Sequence, residues 1–143
     1  MPKQFTHKDL AVWRKAVLLA SQVYAETDRL PRQERHGLVE QMRRSAVSVA
    51  SNIAEGAARG SRADYIRFLN IARGSLAELE AQICICIELK RFNPGTSLEE
   101  NVAEVGRMLS ALVRRLKEHR DRASSFRTDA GRNKDEPPSD SSD

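Results

Sequence analysis

Residues 45–54 read SAVSVASNIA, ten positions without a charge in a chain of which 31% is charged. They lie in the middle of a predicted helix over 31–59, and solvent does not usually face so long an uncharged stretch. At about 100° per residue, Gln41, Ser45, Ser48, Asn52 and Glu55 fall within an arc of about 80°, while Leu38, Met42, Val49 and Ile53 form the apolar arc beside it. Ser, Val and Asn are each roughly a few tenths of a kcal/mol poorer than Ala as helix formers. An exposed helix of this composition is weak alone, so contacts must hold it. The alternative is an ordinary amphipathic helix whose solvent face uses Ser and Asn.

Working outward, Gly60-Ser61 is a stop and a start, with Ser61 placed as N-cap and Asp64 three residues on. A third helix over 62–91 then carries Tyr65, Phe68 or Leu69, Ala72, Ser75 or Leu76, Leu79, Ile83 and Cys86 on its inner stripe. In an antiparallel hairpin turning at Gly60, Gly74-Ser75 falls opposite Ser45 and Ser48. Small residues there predict a tight helix pair. Glu78 and Gln82 share a side with Ser75 and are placed to satisfy the hydroxyls and amide opposite, which would otherwise cost about 1–3 kcal/mol each. Gln41, Ser45, Ser48, Asn52, Glu55, Ser75, Glu78 and Gln82 thus form a predicted polar seam or subunit interface, structural rather than catalytic.

The flanking helices complete a bundle. Residues 8–28 place Leu10, Trp13, Val17, Ala20, Tyr24 and Thr27 at steps of three and four, and Leu30-Pro31 breaks the run, the proline suiting the first turn of the next helix. A fourth helix over 97–122, capped by Thr96 or Ser97, repeats Leu98, Val102, Val105, Leu109, Leu112 and Leu116, with acids early and Arg114, Arg115 and Lys117 late, as the helix dipole favours. Residues 123–143, rich in Ser, Asp and Pro, are expected to form a disordered tail. Short connections make neighbours antiparallel, so the expected fold is all-α: an up-down-up-down four-helix bundle over 1–122 with that tail.

Composition narrows the function. Residues 1–122 hold 21 basic and 15 acidic side chains, and residues 123–143 hold 3 and 5, so the bundle is basic and the tail acidic. Aromatics at 5% suit aliphatic helix packing. With no apolar run near the ~20 residues of a membrane span, a cytoplasmic location without membrane contact is expected. Cys84 and Cys86, two apart on a helix, read as small apolar fillers. No His has a Glu three residues before it, as di-metal bundles require, and no phosphate loop, zinc spacing or nucleophile motif is present. Neither catalysis, a metal nor a cofactor is expected.

The segments EQMRRSAVSVASNIAEGAARGS (40–61), DLAVWRKA (9–16), LPRQERHGL (30–38) and IARGSLAELEAQI (71–83) resemble the intervening-sequence proteins, a four-helix family named for reading frames within insertions in bacterial 23S ribosomal RNA genes. The family is similar in fold to the accessory variability determinant of diversity-generating retroelements. The resemblance covers about residues 5–92. One departure is Ala50, where many members carry proline, so the second helix should continue there without a kink. The resemblance implies a barrel-shaped homopentamer whose basic surface contacts nucleic acid and, in the retroelement relatives, a reverse transcriptase. It implies no reaction.

Two functions follow. The first is an oligomeric adaptor that binds RNA or DNA through phosphate contacts from Arg35, Arg43, Arg44, Arg59, Arg62, Arg67 and Arg73, since the guanidinium fork suits phosphate. Those arginines are equally placed to be solvated charges or partners of Glu34, Glu40, Glu55 and Asp64. The second is a protein-binding scaffold, a reverse-transcriptase accessory or a self-assembling bundle, needing no nucleic acid.

Overall fold

The computed structural model describes residues 6–93 and 95–132, and they are all helical or connecting. Helix α1 spans His7–Thr27, α2 Glu40–Ala58, α3 Arg62–Glu88 and α4 Ser97–Arg132. Each start has a local cause. Thr6 caps α1 in a reciprocal box with Asp9, its hydroxyl accepting from the Asp9 N–H and the Asp9 carboxylate from the Thr6 N–H. Ser61 caps α3 by accepting from the Asp64 N–H at 3.1 Å, after Gly60 turns the chain at φ 79°, a left-handed conformation that costs glycine little.

The segment 31–39 departs from the expected continuous helix. Arg32–Glu34 form a 3-10 turn and Arg35–Val39 a π turn, so regular α geometry begins only at Glu40. Helix α4 also outruns expectation, continuing past residue 122 to Arg132. The remainder of the expected tail, 133–143, lies outside the described residues.

Residue pairs fix the packing. Ser48 meets Ser75 and Met42 meets Cys86, so α2 and α3 are antiparallel. Lys15 pairs with Glu104 and Gln22 with Ser97 and Asn101, so α1 and α4 are too. The start of α2 is tied back to the end of α1 by Arg43, which donates to the Thr27 hydroxyl and the Asp28 carboxylate. One core runs through all four helices, with Leu19, Met42, Ile53, Leu69, Leu79 and Leu109 among its fully buried members.

Of the expected inner face of α1, Thr27 alone is buried. Val12, Ala16, Leu19 and Val23 are buried, whereas Val17 and Tyr24 are 39% and 45% exposed. The helix carries two apolar stripes about one residue apart, and the branched aliphatics win the core while Trp13 and Tyr24 stay at its margin. The tight contact of α2 with α3 also has a different source. Gly74 faces open space; Gly56 is where the backbones close, because a Cβ there would lie 2.8 Å from the Phe68 Cβ and 3.3 Å from the Tyr65 carbonyl. Cys86 is a buried filler, but Cys84 is exposed.

Two expectations follow. Gly56→Ala lowers stability by about 1 kcal/mol, overpacking outweighing the gain in helix propensity, while Gly74→Ala raises it by up to about 1 kcal/mol; denaturant midpoints of the two variants check the sign of each. Burial, with Glu34 adding to it and Arg91 opposing, pushes the Cys86 thiol up to about 11. Only thiolate attacks, so a thiol reagent at neutral pH should modify Cys84 alone in the native protein and both cysteines once unfolded.

Candidate functional site

The polar seam is real but narrower than expected. Ser48 Oγ and Ser75 Oγ are 2.8 Å apart across the α2–α3 line, and Asn52 donates from Nδ2 to Ser48 Oγ at 3.0 Å and to the Ser48 carbonyl at 2.8 Å. Ser45 is buried beside them. Neither Glu78 nor Gln82 bonds these groups: the Gln82 Oε1 is buried without a partner among the described residues, and Glu78 is exposed. Gln41, Arg44, Ser45, Ser48, Ser75, Glu78 and Gln82 instead line a shallow recess on the outer side of the pair. Glu55 stands apart, exposed and paired with Arg59 at 2.8 Å.

The seven arginines do not make one patch. Arg43 is half-buried and committed internally, its guanidinium 4.5 Å over the Tyr24 ring, with Nε on Thr27 Oγ1 at 3.0 Å and Nη2 on Asp28 at 2.7 Å. Arg44 pairs with Glu40, and Arg35 is exposed in the π turn. These three sit at one end of α2. Arg43 and Arg59, sixteen residues apart on that helix, are separated by about 24 Å at 1.5 Å per residue.

At the far end, Arg59 and Arg67 lie 4.8 and 4.6 Å from the Phe68 ring centroid, cation–π contacts that hold both guanidinium groups against the hairpin. Arg67 also reaches Asp64 at 3.8 Å. Arg62 has no ion-pair partner among the described residues; it lines a groove with His119, Arg122, Ala123, Phe126 and Arg127 of α4. Phe126 is 81% exposed. Arg73, bonded to Asn70, faces a third place, between α3 and α4, with Arg107 and Arg114.

Sequence reasoning missed the α4 half of that groove. A signal was present: His119, Ala123 and Phe126 continue the steps of Leu109, Leu112 and Leu116, so the helical stripe runs on past 122. Nearby, burial holds the Tyr65 phenol in its neutral form, raising its ionisation far above the usual range, with Asp9 adding to the effect and Arg115 opposing it. Among the described residues no group of three or more His, Cys, Asp or Glu side chains could hold a metal ion, and no helix is long and apolar enough to cross a membrane.

No curated protein matches the chain. A solved structure similar to it is that of a Bacteroides thetaiotaomicron protein of unknown function from the S23 ribosomal protein family, 25% identical, covering 75% of this chain and 98% of the other with a TM-score of 0.69. The family model of the 23S rRNA-intervening sequence protein matches residues 8–111. With that model spanning all but the last turns of the bundle, the chain belongs to the 23S rRNA-intervening sequence protein family.

Proposed function

We propose that this protein is a non-enzymatic, homo-oligomeric bundle that binds nucleic acid through the groove between the start of α3 and the end of α4. The observation that carries this reading is the gathering of Arg62, His119, Arg122 and Arg127 around the exposed Phe126. Guanidinium groups neutralise phosphates with release of counterions, and an exposed ring stacks on an unpaired base of any sequence. Together they suit single-stranded RNA or DNA bound by charge and stacking.

Of the seven arginines expected to contact phosphate, Arg62 fits this role best, because it lines the groove and has no ion-pair partner among the described residues. Arg59 and Arg67 flank it, each already neutralised by Glu55 or Asp64. Arg43 is excluded from the proposal by its internal bonds. For assembly, the outer face of α3 presents Ile71 and Ile85, 43% and 50% exposed, on either side of the Ser48–Ser75 recess. A second copy covering them would remove the apolar surface and close off the buried Gln82 amide. We assign this face to the homopentamer that the family resemblance implies.

Two measurements test the reading. In a single-stranded RNA titration, Arg62→Ala with Arg122→Ala should weaken binding and reduce the slope of log K against log salt by about 1.4, two phosphate contacts at roughly 0.7 each; unchanged affinity and slope would remove the groove from the function. Light scattering of Ile71→Glu with Ile85→Glu should show a smaller particle with unaltered helical content, since both side chains are exposed in the single chain. An assembly that keeps its mass would rule out this face.

A further inference from the structure

At the opposite end of the bundle from the groove, a recess of about 580 Å³ opens between the last turn of α1, the Leu30-Pro31 corner and the first turns of α2. Small-ligand sites run from about 300 to 1,000 Å³. Tyr24, Leu30, Pro31 and Val47 give it apolar walls, and Arg35, His36, Arg43 and Arg44 stand around them together with two carboxylates, Asp28 and Glu40.

The π turn is what brings these basic groups to one place. A continuous α-helix would put Arg35 about 80° away from Arg43, and His36 the same angle from Arg44, at about 100° per residue. A π turn bonds i to i+5 and inserts one residue into the repeat, which cancels most of that angle. Arg35 then lines up with Arg43 and His36 with Arg44, two turns apart. Such insertions are frequent at functional sites.

Charge bookkeeping identifies the ligand. Arg43 is spoken for by Asp28 and Arg44 by Glu40, the first pair fixed further by the Tyr24 ring and the Thr27 hydroxyl. Arg35 and His36 have no carboxylate within ion-pair distance among the described residues. The Arg43 Nη1 makes no hydrogen bond among the described residues and is held in place by the bonds of Nε and Nη2. An already oriented guanidinium, a free one and an imidazole beside an apolar wall match a compact dianion attached to a flat or apolar group.

We propose that this recess binds a phosphomonoester, anchored by Arg35 with Arg43, Arg44 and His36 around it, while Tyr24, Pro31 and Val47 pack against the group that carries the phosphate. A phosphomonoester bears a charge of about −1.5 to −2 at neutral pH and meets the arginine fork bidentately. Two sources share this chemistry, a free 5′-mononucleotide and the phosphorylated 5′ end of an RNA strand.

The test titrates the full chain with AMP, with adenosine, and with one short RNA bearing either a 5′-phosphate or a 5′-hydroxyl. AMP should bind at least about tenfold more tightly than adenosine, and exposed Arg35→Gln should abolish the difference. A phosphate preference confined to AMP assigns the free nucleotide, one confined to the RNA assigns the strand end, and a preference in both assigns the shared group. The proposal is overturned if neither pair shows a preference, or if the preference survives Arg35→Gln. The Arg62→Ala, Arg122→Ala protein serves as control: the phosphate preference should persist in it, so failure of the groove and failure of this recess are told apart.

Discussion

The closure of α2 on α3 at Gly56 sets the frame for the rest of the molecule. Without a side chain at that position, the Phe68 Cβ and the Tyr65 carbonyl come within the space a methyl group would fill. Farther along the same line the spacing is kept by Ser48 against Ser75, and then by Met42 against Cys86, where the sulfurs are 3.6 Å apart. The contact thus runs from glycine through a hydroxyl pair to a thioether and a thiol. Small side chains bring the backbones together, and the polar ones among them are tolerated because Asn52, Ser48 and Ser75 satisfy one another. The uncharged stretch from Ser45 to Ala54 is the sequence trace of this arrangement.

That trace made the second, third and fourth helices legible. Their buried residues repeat at three and four, with a single stripe in each, so periodicity alone identifies the inner face. The first helix was harder, because both Val12-Ala16-Leu19-Val23 and Leu10-Trp13-Val17-Ala20-Tyr24 have helical spacing, and only the neighbouring helices decide between them. Gly56 was hidden by the same limitation: Gly74 also lies near the middle of a helix, and spacing does not say which glycine meets a backbone. The π turn at Arg35–Val39 escapes any pattern built on 3.6 residues per turn.

The arginines show the same boundary between what composition carries and what contacts decide. Counting charges marked the bundle as basic, yet partners differ for each residue. Arg43 stacks on Tyr24 and closes the corner between α1 and α2, Arg59 and Arg67 brace Phe68 at the hairpin, and Arg62 and Arg35 are left to face solvent at opposite ends. A guanidinium serves structure when a ring face and a carboxylate lie within reach, and is available to a ligand when neither does. Arg73, bonded only to Asn70, is also without a carboxylate among the described residues; the proposed groove takes Arg62 with Arg122 and Arg127, and the proposed recess takes Arg35 beside the already paired Arg43 and Arg44.

The extension of α4 ties this distribution to order in the chain. Beyond Leu116 the helix runs on to Arg132, about 24 Å at 1.5 Å per residue, without the aliphatic stripe that holds its first five turns. A segment of that length is marginal as an isolated helix, but here the bundle supplies the nucleus and each further residue has only to propagate it. Ser125 and Thr128 donate to carbonyls of the preceding turn, weak local bonds that do not replace tertiary packing. A phosphate strand held by Arg122 and Arg127 would therefore bind and stiffen the same turns at once. In the proposed reading, part of the affinity is spent on ordering this helix, so salt, which weakens the phosphate contacts, loosens the extension along with the complex.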